Sequence, residues 1–579
     1  MTLVVPLMLV AAASGVASVA AVIPFLSVLS DPASLPRLPI VFPILAASGI
    51  EDPIVLVRIT GVLLASAVFL ANALMIVKQY MLLRFSWSLN HHLSTRLLRH
   101  YLRQAYAFTL TSNTATLTNK LIVEVRQVVE AGFRNALEIV VQLTIIIALL
   151  GFLVVLDPQL AAVSFLTLGL VYGGIYQLSK GILRRLGRES VAAGAARVKA
   201  INEALGGFKE LKVSGREVFA LRAYTAPSRR FGDYQATMGA ISTLPRYALE
   251  ALAIGGMVLI AALMAGREGS FAATLPLLGA YALAGMRLLP SMQAVFNAVA
   301  RIRGVTGSLE AIEADFLLAV ATEGDLEEPP PPLPFERTIE LHGVSFSYPA
   351  GERPALLGID IDIRRGRSLA FVGRTGSGKT TLVDVVLGLL EPQAGQLSVD
   401  GTAVRPDQRR SYRRLFGYVP QNIFLMDDTI ARNVAFGVPE AEIDPAAVRR
   451  ACELAQIVDF VEQELPDGYA TVVGERGVRL SGGQRQRIGI ARALYHRPQV
   501  IVFDEATSAL DVHTERHVYE AIEGLAKTHT LITVAHRLDT IANSDHVVVL
   551  ELGRIVDQGP PRDVLARYRE GEVRAPLGR

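Results

Sequence analysis

Residues 373–380, Gly-Arg-Thr-Gly-Ser-Gly-Lys-Thr, fit the Walker A phosphate-loop pattern G-x-x-x-x-G-K-[ST]. The chemistry such a loop serves is the cradling of a polyphosphate. Gly373, Gly376 and Gly378, with Arg374, Thr375 and Ser377 between them, let backbone N–H groups converge on a β-phosphate. The helix that follows, through Thr381, offers its positive end to the same anion. Lys379 reaches the β and γ oxygens, and the Thr380 hydroxyl suits Mg2+. Further on, Val-Ile-Val-Phe-Asp-Glu at 500–505 is an apolar strand that ends in two carboxylates. Asp504 can hold Mg2+ through its water shell, and Glu505 can polarise the attacking water of a phosphoryl transfer. Between the two lies Leu-Ser-Gly-Gly-Gln at 480–484, opening a helix that runs through Ala493. Ser481 supplies a hydroxyl, and Gly482 and Gly483, ahead of Gln484, bare N–H groups at a second positive helix end. A lone Ser-Gly-Gly-Gln is an ordinary helix cap. Its position between two phosphate motifs makes it a second phosphate-binding surface.

These groups need strands that end together and helices that begin there. Short β-branched runs at 368–372 and 500–503 alternate with helical stretches, which predicts an α/β domain with a largely parallel sheet. The rest of the chain is built for another solvent. Up to Arg303 there are 27 basic and 14 acidic residues, and beyond it 30 basic and 40 acidic, so the small total of +3 conceals a basic half and an acidic half. Residues 1–30, 59–77, 139–156, 158–179, 251–266 and 269–286 carry no charge. A bilayer core takes about 17–25 apolar helical residues, so six membrane spans fit. Lys and Arg concentrate between spans two and three and between spans four and five, which places both long connections, and all that follows span six, in the cytoplasm. Each connection reads as helical, so the spans are expected to continue as cytoplasmic rods. That topology accounts for the basic loops without nucleic acid. The single cysteine, Cys452, rules out an internal disulfide.

The first run lacks a charged flank, which fits a genuine span better than a cleaved signal peptide and leaves open a lost amphipathic stretch upstream of Met1. The loop at 31–52 reads either as an interfacial helix or as an ordinary packed loop. An acidic, proline-rich stretch at 323–336 reads as a semi-rigid linker. The expected domains are therefore a transmembrane domain at 1–310, a linker at 311–336 and a nucleotide-binding domain at 337–579.

The order Walker A, Val-Pro-Gln-Asn around Gln421, LSGGQ, Walker B, Ser-Ala-Leu-Asp ending at Asp511, and His536 resembles the ATPase domain of ABC transporters. With six spans before it, nearly the whole chain is similar to an exporter-type half-transporter. The resemblance implies a helical membrane domain with long cytoplasmic extensions, joined to an α/β P-loop domain with a helical subdomain. It implies an ATP hydrolase coupled to transport across the inner membrane by alternating access, with ATP and Mg2+. Tyr348 would stack on adenine, Gln421 would touch Mg2+ and relay nucleotide state, Asp511 would line the dimer interface, and His536 would hydrogen-bond the γ-phosphate. ATP sits between one subunit's Walker A and the other's LSGGQ in this family, so two copies are needed. A homodimer is the economical arrangement, with a related heterodimer the alternative. Residues 103–117 and 203–216 are the candidate coupling segments.

Polar groups at membrane depth are the handle on substrate. Arg246 and Glu250 share a helix face at the start of span five, and Arg287 sits in span six. These segments resemble bacterial lipid-linked oligosaccharide flippases, which implies a polyprenyl-pyrophosphate glycan gripped by cavity arginines. A multidrug, hydrophobic small-molecule or peptide exporter is the alternative, and an ATP-gated channel or regulator a further one.

Overall fold

The computed structural model describes scattered positions before residue 53, then residues 53–156, 158–264, 270–321, 330–348, 353–474, 477–504, 522–534 and 542–569. The chain divides into two compact units. One comprises Met1–Gln104 and Ser112–Asp325, the other Ala105–Thr111 and Leu326–Arg579.

The first unit is built from long helices. α1 (Pro53–Arg103) has 51 residues, which at 1.5 Å per residue is more than twice the thickness of a bilayer core. After the short α2 (Tyr106–Thr111) and α3 (Thr114–Asn119), two π-helical stretches, Lys120–Glu124 and Val128–Phe133, lead into α4 (Arg134–Leu156). α5 (Pro158–Gly206), the short α6 (Phe208–Ser214), α7 (Glu217–Met264), α8 (Ser270–Gly304) and α9 (Thr306–Ala321) follow in the described part of the unit. Helices thus cover five of the six charge-free runs, and most of the first run and the loop after it lie outside the described residues. The expected rods are real: α1, α5 and α7 continue without a break past their apolar stretches into basic sequence. Windows within Val57–Arg103 and Thr116–Val155 reach mean hydropathies of 2.2 and 2.6. On one face of each, large apolar side chains point outward, with Phe69 at 78% and Val155 at 84% exposure. Apolar and uncovered is what a lipid-facing helix shows.

Packing within this unit follows helical spacing. Val141, Ile145, Leu149 and Leu153, four apart on α4, form one stripe that meets Leu82 of α1 and Leu288 of α8. At one end of that contact the buried Lys78 Nζ faces Glu138 Oε1 at 3.7 Å, and Gln142 donates to the same carboxylate at 2.6 Å. α9 extends to Ala321, into the stretch assigned to the linker, because Ile312 buries against Leu97, Val125 and Val128. Asp315 fixes it further, accepting from Tyr101 Oη at 2.6 Å and from Lys120 Nζ at 2.7 Å.

The described residues of the second unit form two sheets. β1 (Thr338–Phe346), β2 (Leu356–Arg364), β4 (Ala394–Val399) and β5 (Thr402–Ala403) form an antiparallel sheet in the order β2-β1-β4-β5. β3 (Ser368–Val372), β6 (Phe416–Val419), β7 (Val500–Asp504), β8 (Thr530–Val534), β9 (His546–Glu551) and β10 (Arg554–Gly559) form the larger sheet, in the order β10-β9-β3-β8-β7-β6. All its pairings except β9 with β10 are parallel. β7 and β8 are buried at every position, which explains their unbroken apolar sequence: both faces are covered, so no alternation survives. One core lies between β1, β2, β3 and α10 (Lys379–Val386). A second gathers α11 (Ile430–Val434), α12 (Pro445–Leu454) and α13 (Gly482–Tyr495) against β6 and β7, with Cys452 buried inside it.

Candidate nucleotide site

The phosphate loop leaves the C-terminal end of β3 and enters α10. Gly378, the residue before that helix, has φ +103°, and a Cβ there would lie 2.6 Å from the Ala355 carbonyl oxygen, so only glycine serves. Lys379 is 6% exposed and folds its ammonium over the loop, donating to Gly373 O at 2.7 Å and Arg374 O at 3.1 Å. Ser377 is buried with an Oγ that has no hydrogen-bond partner among the described residues. A curled loop with a sequestered cation, an unanswered hydroxyl and a helix N-terminus behind it is chemically an anion cradle. Arg374, Thr375, Gly376 and Thr380 face solvent around it.

Asp504 ends β7 and is 8% exposed, and Tyr418 of β6 donates to its Oδ2 at 3.2 Å. The order β3-β8-β7 puts the loop and Asp504 on strand ends two positions apart, about 10 Å. That is the end of a parallel sheet where ligands collect. Asp384, buried on α10, is a residue the sequence did not single out. Burial, and then the charge of Asp504, push its carboxyl up to about 6. Tyr106, from the short α2 segment of this unit, has its phenol raised by burial and by the charges of Asp384, Tyr348 and Asp504. The other missed group is Tyr418. Its only sequence signal was an aromatic one residue before the end of a strand leading to Gln421.

Tyr348 follows β1; its hydroxyl lies 3.0 Å from Thr381 Oγ1 and its ring meets Phe346 edge-on. The site therefore joins the antiparallel sheet to the phosphate loop. Gln421 lies just beyond β6 and is exposed. Ser481 caps α13: its Oγ accepts from Gln484 N at 3.2 Å, while Gln484 Oε1 accepts from Ser481 N at 2.8 Å. The motif is thus a complete capping box, and its first turn carries Gly482 and the buried Gly483. Glu505, Asp511 and His536 lie outside the described residues; in the sequence Glu505 directly follows β7 and His536 comes two residues after β8.

In the first unit, Arg246 meets Glu250 at 3.9 Å with both side chains largely exposed. Arg287 lies on α8, and its side chain is outside the described positions.

Residues 356–508 match the family described as ABC transporter, and residues 7–266 match the ABC transporter transmembrane region. An ATP-dependent lipid A-core flippase of Thiobacillus denitrificans is 32% identical over 78% of this chain and 77% of its own length. One from Chromobacterium violaceum is 35% identical over 76% of this chain and 75% of its own. A solved structure of a bacterial Atm1-family ABC exporter with ATP bound superposes with a TM-score of 0.74 at 24% identity, covering 96% of this chain and 97% of that one. The phosphate loop at the C-terminal end of a parallel sheet, the lipid-facing helices and these relatives together show that the chain belongs to the ABC transporter family, with a transmembrane region and an ATPase that drives transport.

Proposed function

We infer that the chain is an inner-membrane half-transporter that pairs with a second copy of itself and flips a phosphorylated glycolipid. The observation that carries this reading is the identity, above 30% over about three quarters of the chain, to proteins named as lipid A-core flippases. Lipid-linked oligosaccharides belong to the same chemical class, an anionic phosphate on a large amphiphile. Arg246 and Arg287 are the proposed grips on that phosphate. A purified protein in proteoliposomes is expected to translocate fluorescent phosphorylated glycolipid with ATP, and Arg246→Ala with Arg287→Ala to slow it at least tenfold. Movement of uncharged drugs alone would sink the proposal.

The same reading assigns the ATPase roles, from the positions described above and, for Glu505, Asp511 and His536, from the motifs they stand in. Lys379 and the loop N–H groups bind the β- and γ-phosphates, with Tyr348 beneath the adenine. Thr380, Asp504 and Gln421 offer hard oxygen donors that fit Mg2+, which keeps several waters and needs only one or two carboxylates beside the phosphates. When bound, that ion neutralises charge building on the phosphate oxygens. Tyr418, by donating to Asp504, holds that carboxylate's direction. Glu505 orients the attacking water and His536 contacts the γ-phosphate. One chain carries one phosphate loop and one Ser481–Gln484 cap, so two copies in C2 symmetry supply two complete sites, with Asp511 at the junction. ATP then biases the membrane unit only as far as it binds the two conformations differently.

A further inference from the structure

A recess in the first unit is lined by Ser86, Trp87 and Asn90 of α1 and by Arg126, Glu130 and Arg134 from the stretch that enters α4. We propose that this recess is a binding site for a lipid headgroup that carries both a phosphate and a hydroxyl or amine, at the cytoplasmic leaflet. It is distinct from the proposed cavity arginines and from the nucleotide site.

The depth comes first. α4 starts at Arg134 and has 23 residues, about 34 Å of helix against a hydrocarbon core of about 30 Å. With Leu156 at the outer boundary, Arg134 stands at the inner headgroup level. Trp87, opposite it on α1, is 56% exposed, as an interfacial indole is.

The chemistry of the lining comes second. Neither Arg126 nor Arg134 has an ion pair or side-chain hydrogen bond among the described residues. Two unanswered guanidiniums facing one recess suit a phosphate oxygen pair. The same recess holds Asn90, whose Oδ1 is buried without a donor, and the Glu130 carboxylate. An acceptor pair beside two cations discriminates against a bare anion and asks for a ligand that brings its own O–H or N–H. Glu130 lies on the π-helical stretch Val128–Phe133, where the widened turn displaces side chains from regular α spacing; such turns concentrate at functional sites. The enclosed space is only about 10 Å3, room for one water, so the headgroup lies across the mouth with its chains along the outward face of α1.

This inference rests on the membrane placement of the unit and not on which substrate is flipped. Trp87 is the only tryptophan in the chain, so its emission reports the recess alone. Full-length protein in detergent would be titrated with dihexanoyl-phosphatidylglycerol, dihexanoyl-phosphatidylcholine and inorganic phosphate. The expected result is a saturable blue shift with phosphatidylglycerol. Phosphatidylcholine, which lacks a donor, and free phosphate should each bind about tenfold or more weakly. Arg126→Gln with Arg134→Gln should abolish saturation, and Arg126→Lys with Arg134→Lys should restore most of it, which separates lost charge from misfolding. Basal ATPase checks that each variant is folded. An equal response to both lipids overturns the headgroup reading. A response to phosphate as strong as to phosphatidylglycerol replaces the lipid with a free anion, and an unchanged response in the double glutamine variant removes the site. Glycolipid translocation, measured separately, stands or falls independently of all three.

Discussion

Lys379 bends over the carbonyls of its own loop, so the charge meant for a phosphate is already held where the phosphate would lie. Lys379→Ala is therefore expected to lower ATP turnover at least a hundredfold with the helices intact, as steady-state hydrolysis and circular dichroism would show. The motif residues could be read from the sequence because each stands within a few positions of its motif neighbours. Tyr418 and Asp384 were not, since their importance comes from strands and helices that bring them to Asp504 across the sequence; Tyr418 is 86 residues from its partner. Asp545 is a similar case. Burial alone would raise its carboxyl, but the Ser368 N–H and hydroxyl and the Arg367 guanidinium outweigh burial and hold it below the usual carboxylate range. Because the folded value is depressed, this contribution is fully present above the unfolded value of about 3.9 and is lost as pH falls through the folded one. With the side chain 43% exposed, Asp545→Asn should cost only about 1 kcal/mol at pH 7. The deficit should vanish in strong acid, and amide exchange along β3 measured against pH would follow it.

Ser481 shows that a helix cap and a phosphate surface are compatible readings of one tetrapeptide, because capping is what points the first N–H groups outward. Two substitutions separate the roles. Ser481→Ala should fray the start of α13 at a cost of about 1 kcal/mol. Ser481→Asp should keep the cap yet repel a phosphate, so both variants lose ATPase while exchange at Gln484 N rises only in the first. α9 carries the clearest element that sequence reading passed over. Leu309, Ile312, Phe316 and Ala319 recur at helical spacing, but the acidic prolines downstream drew the whole region into a linker. The π-helical stretches had no such signal, since a one-residue change of turn leaves the apolar pattern almost unaltered. Asp315 pins α9 by two polar contacts to different elements. Asp315→Asn should loosen that helix by about 1–2 kcal/mol, and a double-mutant cycle with Tyr101→Phe should show coupling between the two sites.

On the scale of the molecule, the charge division at the linker was visible in the sequence because membrane and water select different compositions, and the two units part at Asp325 and Leu326. A proposal of two shared sites makes a mixing prediction. Lys379→Ala and Gly482→Glu chains, each inactive alone, should regain about a quarter of wild-type turnover when co-expressed, since about half of the dimers are mixed and one of the two sites in each is intact; no recovery would rule out the shared arrangement. What the sequence could not show is that Ala105–Thr111, surrounded on both sides by the first unit, belongs to the second, where Ala107 packs on the core around β1 and β3. The ribosome delivers that segment long before Leu326 emerges. The contact of Ala107 with that core therefore forms only after the residues beyond Leu326 have been made. A piece excised at residue 326 lacks that contact, and a peptide of residues 105–111 supplied in trans should raise its melting temperature.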